Sequence, residues 1–297
     1  MSSHLSRFTD RLVTLAKRAV SGVPDTAVKK GDGGYAGWVV IVLHGLREYL
    51  DLPYRRLLDI LHEMHGIVEK MGLKISELPD FTTVCVRKRE LKMAVWRTLL
   101  RLSADLHDTG EVQAIDATGL DRHSASRHYA NQTDYTFRSV KTTALVDCET
   151  GAVLDVHCSM QQPHDTQVGC QVLTRNLDQL QTVTADKGYD WDALRHRLRE
   201  ADVRPVIKHR EFTPLDVAHN VRQDDNAYHR RSAVEAIFFA LKQRYGDTLR
   251  ARTWFGQFRE IVLKSAVRNI EIAICFKTRF SRVIRSYWSI LGKNILH

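Results

Sequence analysis

Residues 228–242 read Tyr228-His229-Arg230-Arg231-Ser232-Ala233-Val234-Glu235-Ala236-Ile237-Phe238-Phe239-Ala240-Leu241-Lys242. Val234, Ile237, Phe238 and Leu241 recur at three- and four-residue steps, which predicts an amphipathic helix from Tyr228 to Tyr245. At about 100° per residue, Tyr228, Arg231, Glu235 and Lys242 fall at roughly 0°, −60°, −20° and −40°. One narrow stripe therefore carries a phenol, two cations and a carboxylate, beside the apolar stripe that would dock on a sheet. An Arg231–Glu235 pair at i, i+4 is by itself an ordinary solvated face. It does not account for the aromatic and the second cation in line.

Upstream of this helix the pattern alternates between short strands and helices. Val112-Gln113-Ala114-Ile115-Asp116 reads as a strand ending on an aspartate, and so does Thr182-Val183-Thr184-Ala185-Asp186. Residues 139–147 and 152–157 flank Cys148-Glu149-Thr150-Gly151, a hairpin turn. Helices are predicted over 165–180 and 191–201, with a strand over 204–208 between the second of them and the Tyr228 helix. The order is β-β-β-α-β-α-β-α, a mixed α/β sheet opening with a three-strand meander. Carboxylates at the C-terminal ends of strands in an open sheet lie where such folds put their sites. Asp165 reads as a helix N-cap close to such a site.

Residues 1–110 are helical by periodicity, broken at Gly31-Asp32-Gly33-Gly34, Leu52-Pro53 and Leu78-Pro79. The glycines read as a linker, since no Gly-Lys-Ser/Thr follows them. Between Tyr54 and Leu91, Thr82-Thr83 reads as an N-cap ahead of the basic triplet Arg87-Lys88-Arg89. This fits a helix-turn-helix whose second helix starts near Thr83, or a plain bundle with a basic face. The expected division is a helical segment at 1–110, a catalytic core at 111–250, and a basic helical segment at 251–297.

Composition narrows the class. The chain has 297 residues, 43% apolar and 27% charged, which is globular. Five scattered cysteines with no C-x-x-C spacing exclude a disulfide framework and a cysteine-built zinc site, and suit a reducing cytosol. His123 and His128 lack a suitably spaced third ligand for zinc. No apolar run approaches the roughly 20 residues of a membrane span, and the N-terminus shows no secretory pattern. The net charge of +9 is uneven: residues 227–297 carry 14 basic and 4 acidic residues, whereas residues 1–226 sum to −1. Such a segment suggests a polyanionic partner, with nucleic acid first. Arg250, Arg252, Arg259, Lys264 and Arg268 are the expected DNA-facing charges there, around a core of Trp254, Phe255 and Phe258.

Tyr228-x2-Arg231-x3-Glu235-x6-Lys242 resembles the Y-R-E-K signature of bacterial and archaeal insertion-sequence transposases of the DDE type. Asp116-Ala117-Thr118-Gly119 resembles that group's first-aspartate motif, and Asp186-Lys187-Gly188-Tyr189 its second. The resemblance spans about residues 35–275. It implies an RNase H-like core: a mixed sheet flanked by helices, with an all-helical N-terminal segment. It implies Asp116, Asp186 and Glu235 as catalytic carboxylates and metal ligands. Two Mg²⁺ ions, with Mn²⁺ able to substitute, are the implied cofactors, because hard ions take oxygen ligands and a pair can serve both oxygens of an in-line displacement. Tyr228, Arg231 and Lys242 are then DNA-binding, as are Arg87, Lys88 and Arg89.

The implied partners are double-stranded DNA, both terminal inverted repeats and target. The resemblance also implies a homodimer when assembled on DNA, no membrane partner, and a cytoplasmic, nucleoid-associated place of action. An RNase H-like nuclease or domesticated recombinase is the alternative enzyme. A non-catalytic DNA-binding regulator is the alternative without catalysis.

Overall fold

The computed structural model describes residues 2–20, 26–28, 34–122, 139–160 and 163–293, with side chains to residue 275. The expected linker glycines at 31–33 and the histidines 123 and 128 lie outside the described residues. The chain divides into two compact units, residues 1–90 with 267–297, and residues 91–266. Among the described residues, no helix is long and apolar enough to cross a membrane.

The first unit is helical: α1 (His4–Ala19), α2 (Gly37–Leu50), α3 (Tyr54–Glu63), α4 (His65–Lys70) and α5 (Phe81–Glu90). Ser3 caps α1 by accepting from the Ser6 N–H at 3.1 Å, and Phe8, Leu12 and Leu15 line its buried face. α2 is buried all round from Trp38 to Glu48, which holds an Arg47–Glu48 ion pair inside the bundle. α5 starts two residues earlier than expected. The Asp80 carboxylate accepts from the Thr82 N–H at 2.8 Å and from its hydroxyl at 2.5 Å, so Asp80 takes the capping role assigned to Thr82-Thr83. An ionised carboxylate is the stronger acceptor for orphan helix donors.

His44 at the centre of α2 is fully buried and neutral. Burial lowers its pKa well below 6.5, and the Lys88 and Arg47 charges push the same way. Nε2 donates to the Val84 carbonyl at 3.2 Å and Nδ1 accepts from the Tyr54 hydroxyl at 2.9 Å. A group with a depressed folded pKa binds more protons unfolded, so its stabilisation is complete above about pH 6.5 and is lost as pH falls below it. Thermal melts should therefore drop between pH 7.5 and 5.5. In His44→Gln, which keeps a donor and an acceptor, the baseline falls but that part of the pH slope disappears.

The second unit opens with α6 (Met93–Ala104) and continues through β1 (Val112–Arg122), β2 (Val140–Asp147), β3 (Val153–Ser159), α7 (Asp165–Thr174), β4 (Thr182–Ala185), α8 (Asp192–Glu200), β5 (Arg204–Ile207), α9 (Pro214–Val221), α10 (Asp225–His229), α11 (Ser232–Tyr245), β6 (Thr248–Leu249) and α12 (Trp254–Lys293). α12 contributes residues 254–266 to this unit. The sheet order is β3-β2-β1-β4-β5, with β6 against the end of β1. β1, β2 and β3 are antiparallel neighbours, whereas β4 and β5 run parallel to β1. This is the mixed sheet flanked by helices expected of an RNase H-like core. One face packs Ile115, Leu145 and Val183 against Val168 of α7 and Leu194 and Leu198 of α8. α11 lies over β1 and β2, with Val234, Ile237 and Phe238 buried.

Four expectations are corrected here. β1 does not stop at Asp116 but runs to Arg122, because β2 pairs with it as far as Leu120 and β6 takes up Asp121 and Arg122. The helix expected from Tyr228 is two helices. Arg231, Ala233 and Val234 donate to the carbonyls three residues back, a tight turn at Arg230–Arg231 that resets the helix phase before Ser232. Phe255 is exposed, unlike the buried Phe258. Lys264 is not a DNA-facing charge: it is buried and paired with Glu260 at 2.8 Å.

Candidate functional site

Strand alternation sets which face each residue serves. Val112 pairs with Thr182 and Ala114 with Thr184, so two further residues bring each strand to its aspartate, Asp116 on β1 and Asp186 after β4. Both lie on the even face, which α10 and α11 cover; the Thr184 hydroxyl donates to the Tyr228 carbonyl at 3.4 Å and ties α10 down. Asp116 is half-buried, with Oδ1 accepting from the Ala117 N–H at 2.8 Å. Its pKa is pushed up to about 6, first by burial and then by the Asp186 and Glu235 carboxylates, against the Ala117 N–H and the Arg231 charge. The structure thus brings Asp186 and Glu235 within electrostatic reach of Asp116, although successive members of the trio are 70 and 49 residues apart in sequence.

Asp186 caps a single 3₁₀ turn, Lys187–Tyr189, by accepting from the Gly188 N–H at 2.8 Å. Glu235 in the first turn of α11 accepts from Arg231 Nη1 at 3.0 Å. Lys187 pairs with Glu211 at 2.5 Å rather than with a site carboxylate. Tyr228 lies beneath two cations, Lys208 Nζ at 4.4 Å and Arg231 Cζ at 5.6 Å from its ring centroid. Lys242 Nζ donates to Thr118 Oγ1 at 2.9 Å. The α10–α11 turn is clasped by the β2–β3 hairpin: Cys148 Sγ donates to the Arg230 carbonyl at 3.4 Å and Glu149 pairs with Arg230 at 3.3 Å.

Asp165 is the first residue of α7 and not its cap, which is His164. Its carboxylate pairs with Lys141 at 2.7 Å. A Cβ built on Gly188 would sit 2.8 Å from Asp186 Oδ1 and 3.5 Å from Asp165 Oδ2, so the two carboxylates are neighbours. Tyr189 is buried beneath them and presses on Gly169, where any Cβ would be 2.6 Å from its ring. Burial and then the Asp116, Asp165 and Asp186 charges raise the Tyr189 pKa. Thr118, Lys141 and Lys208 were not among the expected site residues. Only Thr118 left a signal: it stands two residues after Asp116 and so on the same strand face.

Arg87, Lys88 and Arg89 lie in the other unit, in the last turn of α5. Arg87 donates to the Tyr35 carbonyl at 2.6 Å and pairs with Glu90 at 2.8 Å.

The donor set of Asp116, Asp186 and Glu235 is all carboxylate, the chemistry that hard divalent ions select. Burial first, and the Asp186 and Glu235 charges after it, oppose the ionised form of Asp116, and a bound cation would favour that form. Among the described residues no three ligating side chains already converge on one point, and Glu235 is hydrogen-bonded to Arg231.

Residues 107–270, more than half of the chain, match the family model described as the transposase DDE domain. Among curated proteins none matches the sequence. Among solved structures, the chain is similar to that of the piggyBac transposase synaptic complex with hairpin DNA, determined by cryo-EM. The TM-score is 0.50 at 11% identity, covering 93% of this chain and 75% of that one. At that identity the likeness is one of fold.

Proposed function

The chain belongs to the transposase DDE-domain family and is a DNA transposase of the DDE type; on that premise we propose that it serves an insertion sequence. It binds the element's terminal inverted repeats as a homodimer, cleaves the ends, and joins the freed 3′-OH groups to target DNA. The observation that carries this reading is the register of β1 and β4, which sets Asp116 beside Asp186 beneath the helix bearing Glu235. A cytoplasmic, nucleoid-associated place of action goes with it.

Asp116, Asp186 and Glu235 would hold the metal, two Mg²⁺ ions with Mn²⁺ as substitute. Bound there, divalent ions activate the attacking oxygen and stabilise the departing one. Glu235 leaves Arg231 when it turns to that role, and the freed guanidinium faces a scissile-strand phosphate in bidentate fashion. Lys242 grips a second phosphate. Tyr228, already stacked under cations, orients a phosphate through its hydroxyl or a displaced base through its ring. Arg87, Lys88 and Arg89 add contacts to duplex backbone.

The likeness to a transposase bound to DNA agrees with a DNA partner, as does the basic excess beyond residue 227. The test is incubation of labelled repeat ends and a supercoiled target with Mg²⁺. Nicked ends followed by joined products are expected; nicking with no joining would identify a nuclease instead. Duplex affinity should also fall steeply with salt, by roughly 0.9 in log K per log salt for each phosphate neutralised. Filter binding across a salt series measures that slope, and a flat line contradicts the phosphate contacts.

A further inference from the structure

We infer that Thr118 is a positioning residue that holds the Lys242 ammonium, unneutralised, for a DNA phosphate; this rests on the reading of Lys242 above. Among the described residues no acidic side chain pairs with Lys242, whose partner is the neutral Thr118 hydroxyl at 2.9 Å. The neighbouring cations differ: Arg231 pairs with Glu235, Lys187 with Glu211, Lys208 with Asp225 and Lys141 with Asp165. A carboxylate partner would cancel the charge offered to an anion. A hydroxyl that accepts one of the three ammonium protons fixes the long stem and leaves both the charge and two donors for a ligand.

The placement follows from two periodicities. Thr118 is two residues beyond Asp116, so it shares its strand face at about 6.7 Å along β1. Lys242 is seven residues beyond Glu235, two turns on at about 10.5 Å, so it shares that helix face. The hairpin clasp sets Arg230 beside Cys148, which itself donates to the Val112 carbonyl, and the other end sets Lys242 beside Thr118. Twelve residues of helix span about 18 Å, and six of strand about 20 Å. The α11 region therefore runs along β1 nearly in step, and β1 is paired through this stretch, Thr118 opposite Thr142. The hydroxyl is a fixed point on a rigid strand at the level where the chain leaves the carboxylates.

The experiment uses the full chain with Thr118→Val, Thr118→Ser, Lys242→Met and the Thr118→Val/Lys242→Met pair. Two readouts are taken. The first is the rate of reductive methylation of Lys242 without DNA, read by mass spectrometry. It should rise several-fold in Thr118→Val and return to the wild-type rate in Thr118→Ser. The second is affinity for a labelled 40-base-pair duplex across a salt series. Thr118→Val should weaken binding about 3- to 10-fold, Thr118→Ser should not, and in the Lys242→Met background the valine should cost nothing further. Equal losses in both backgrounds, or an unchanged labelling rate, overturn the inference while leaving the transposase reading in place. A wild-type chain that binds no duplex at all overturns both.

Discussion

Glu235→Gln, Asp116→Asn and Asp186→Asn are each expected to abolish Mg²⁺-dependent nicking of labelled repeat ends, by about 10³-fold or more, the scale of removing one group that stabilises developing charge. Each change keeps the side chain's shape and removes charge that the proposed metal ions would require. Duplex binding should survive, because the cations proposed to contact phosphate are separate side chains. Stability in the absence of metal should not fall for Asp116→Asn. Asp116 is half-buried, and its ionised form is opposed by burial and by the two neighbouring carboxylates. An amide relieves that repulsion, so the melting temperature holds or rises while activity disappears, a trade expected at a site built for charge. Nicking assays beside thermal melts of the three variants make the check. If Glu235→Gln still cuts at near the wild-type rate, the active site lies elsewhere.

Lys264→Met is expected to destabilise the second unit by about 3–5 kcal/mol, the usual cost of leaving a buried charge without its partner. Glu260 and Lys264 are both buried, and the Glu260 carboxylate also accepts from the Arg250 and Ala251 N–H groups at 3.1 and 2.8 Å. Burial raises the Glu260 pKa, but Lys264 and these donors outweigh it and hold the pKa below its ordinary value. Without Lys264 the burial penalty stands against the two backbone N–H groups alone. Glu260→Gln added to Lys264→Met removes the orphaned charge and should restore a large part of the loss. Urea unfolding of the two variants measures this. The salt slope of DNA binding should not change, whereas it would fall by about one unit if Lys264 touched a phosphate. A slope change with unaltered stability would return Lys264 to the DNA surface.

Lys264 shows where a sequence reading loses its grip. Its neighbours are basic and it belongs to the charge excess, so composition places it among the DNA-facing cations. Yet Glu260 lies one turn earlier, and only packing decides that this pair points inward. Phe255 and Phe258 share a helix and a chemistry, and packing exposes one and buries the other. In the same way Asp165 carries the composition of a helix cap, but His164 holds the cap position and the carboxylate goes to Lys141 beside Asp186. The spacing of the Tyr228 stripe predicts one helical phase throughout. The turn at Arg230–Arg231 lies between Tyr228 and the helix that carries Glu235 and Lys242, although Arg231 still stacks on the Tyr228 ring at 5.6 Å, and the hairpin that clasps this turn is about 80 residues away in sequence, beyond any local window.

Residue types and their spacing were enough to give the order of strands and helices from Val112 to Ile207, the β2–β3 turn, the apolar face of the Ser232–Tyr245 helix, and the chemistry available at the site; the helix Pro214–Val221, where the pattern reads as a connection, and the two-residue strand Thr248–Leu249 left no such signal. The features so given depend on residue type and on periods of two or 3.6, which are local. Tertiary structure alone decided that β1 continues past Asp116, that Asp116 and Asp186 come level, that Glu235 pairs with Arg231 and Lys242 with Thr118, and which cations face inward. Those outcomes depend on register and burial, set by contacts between segments far apart in the chain, where the cost of burying a charge is met only by a partner that local patterns do not reveal.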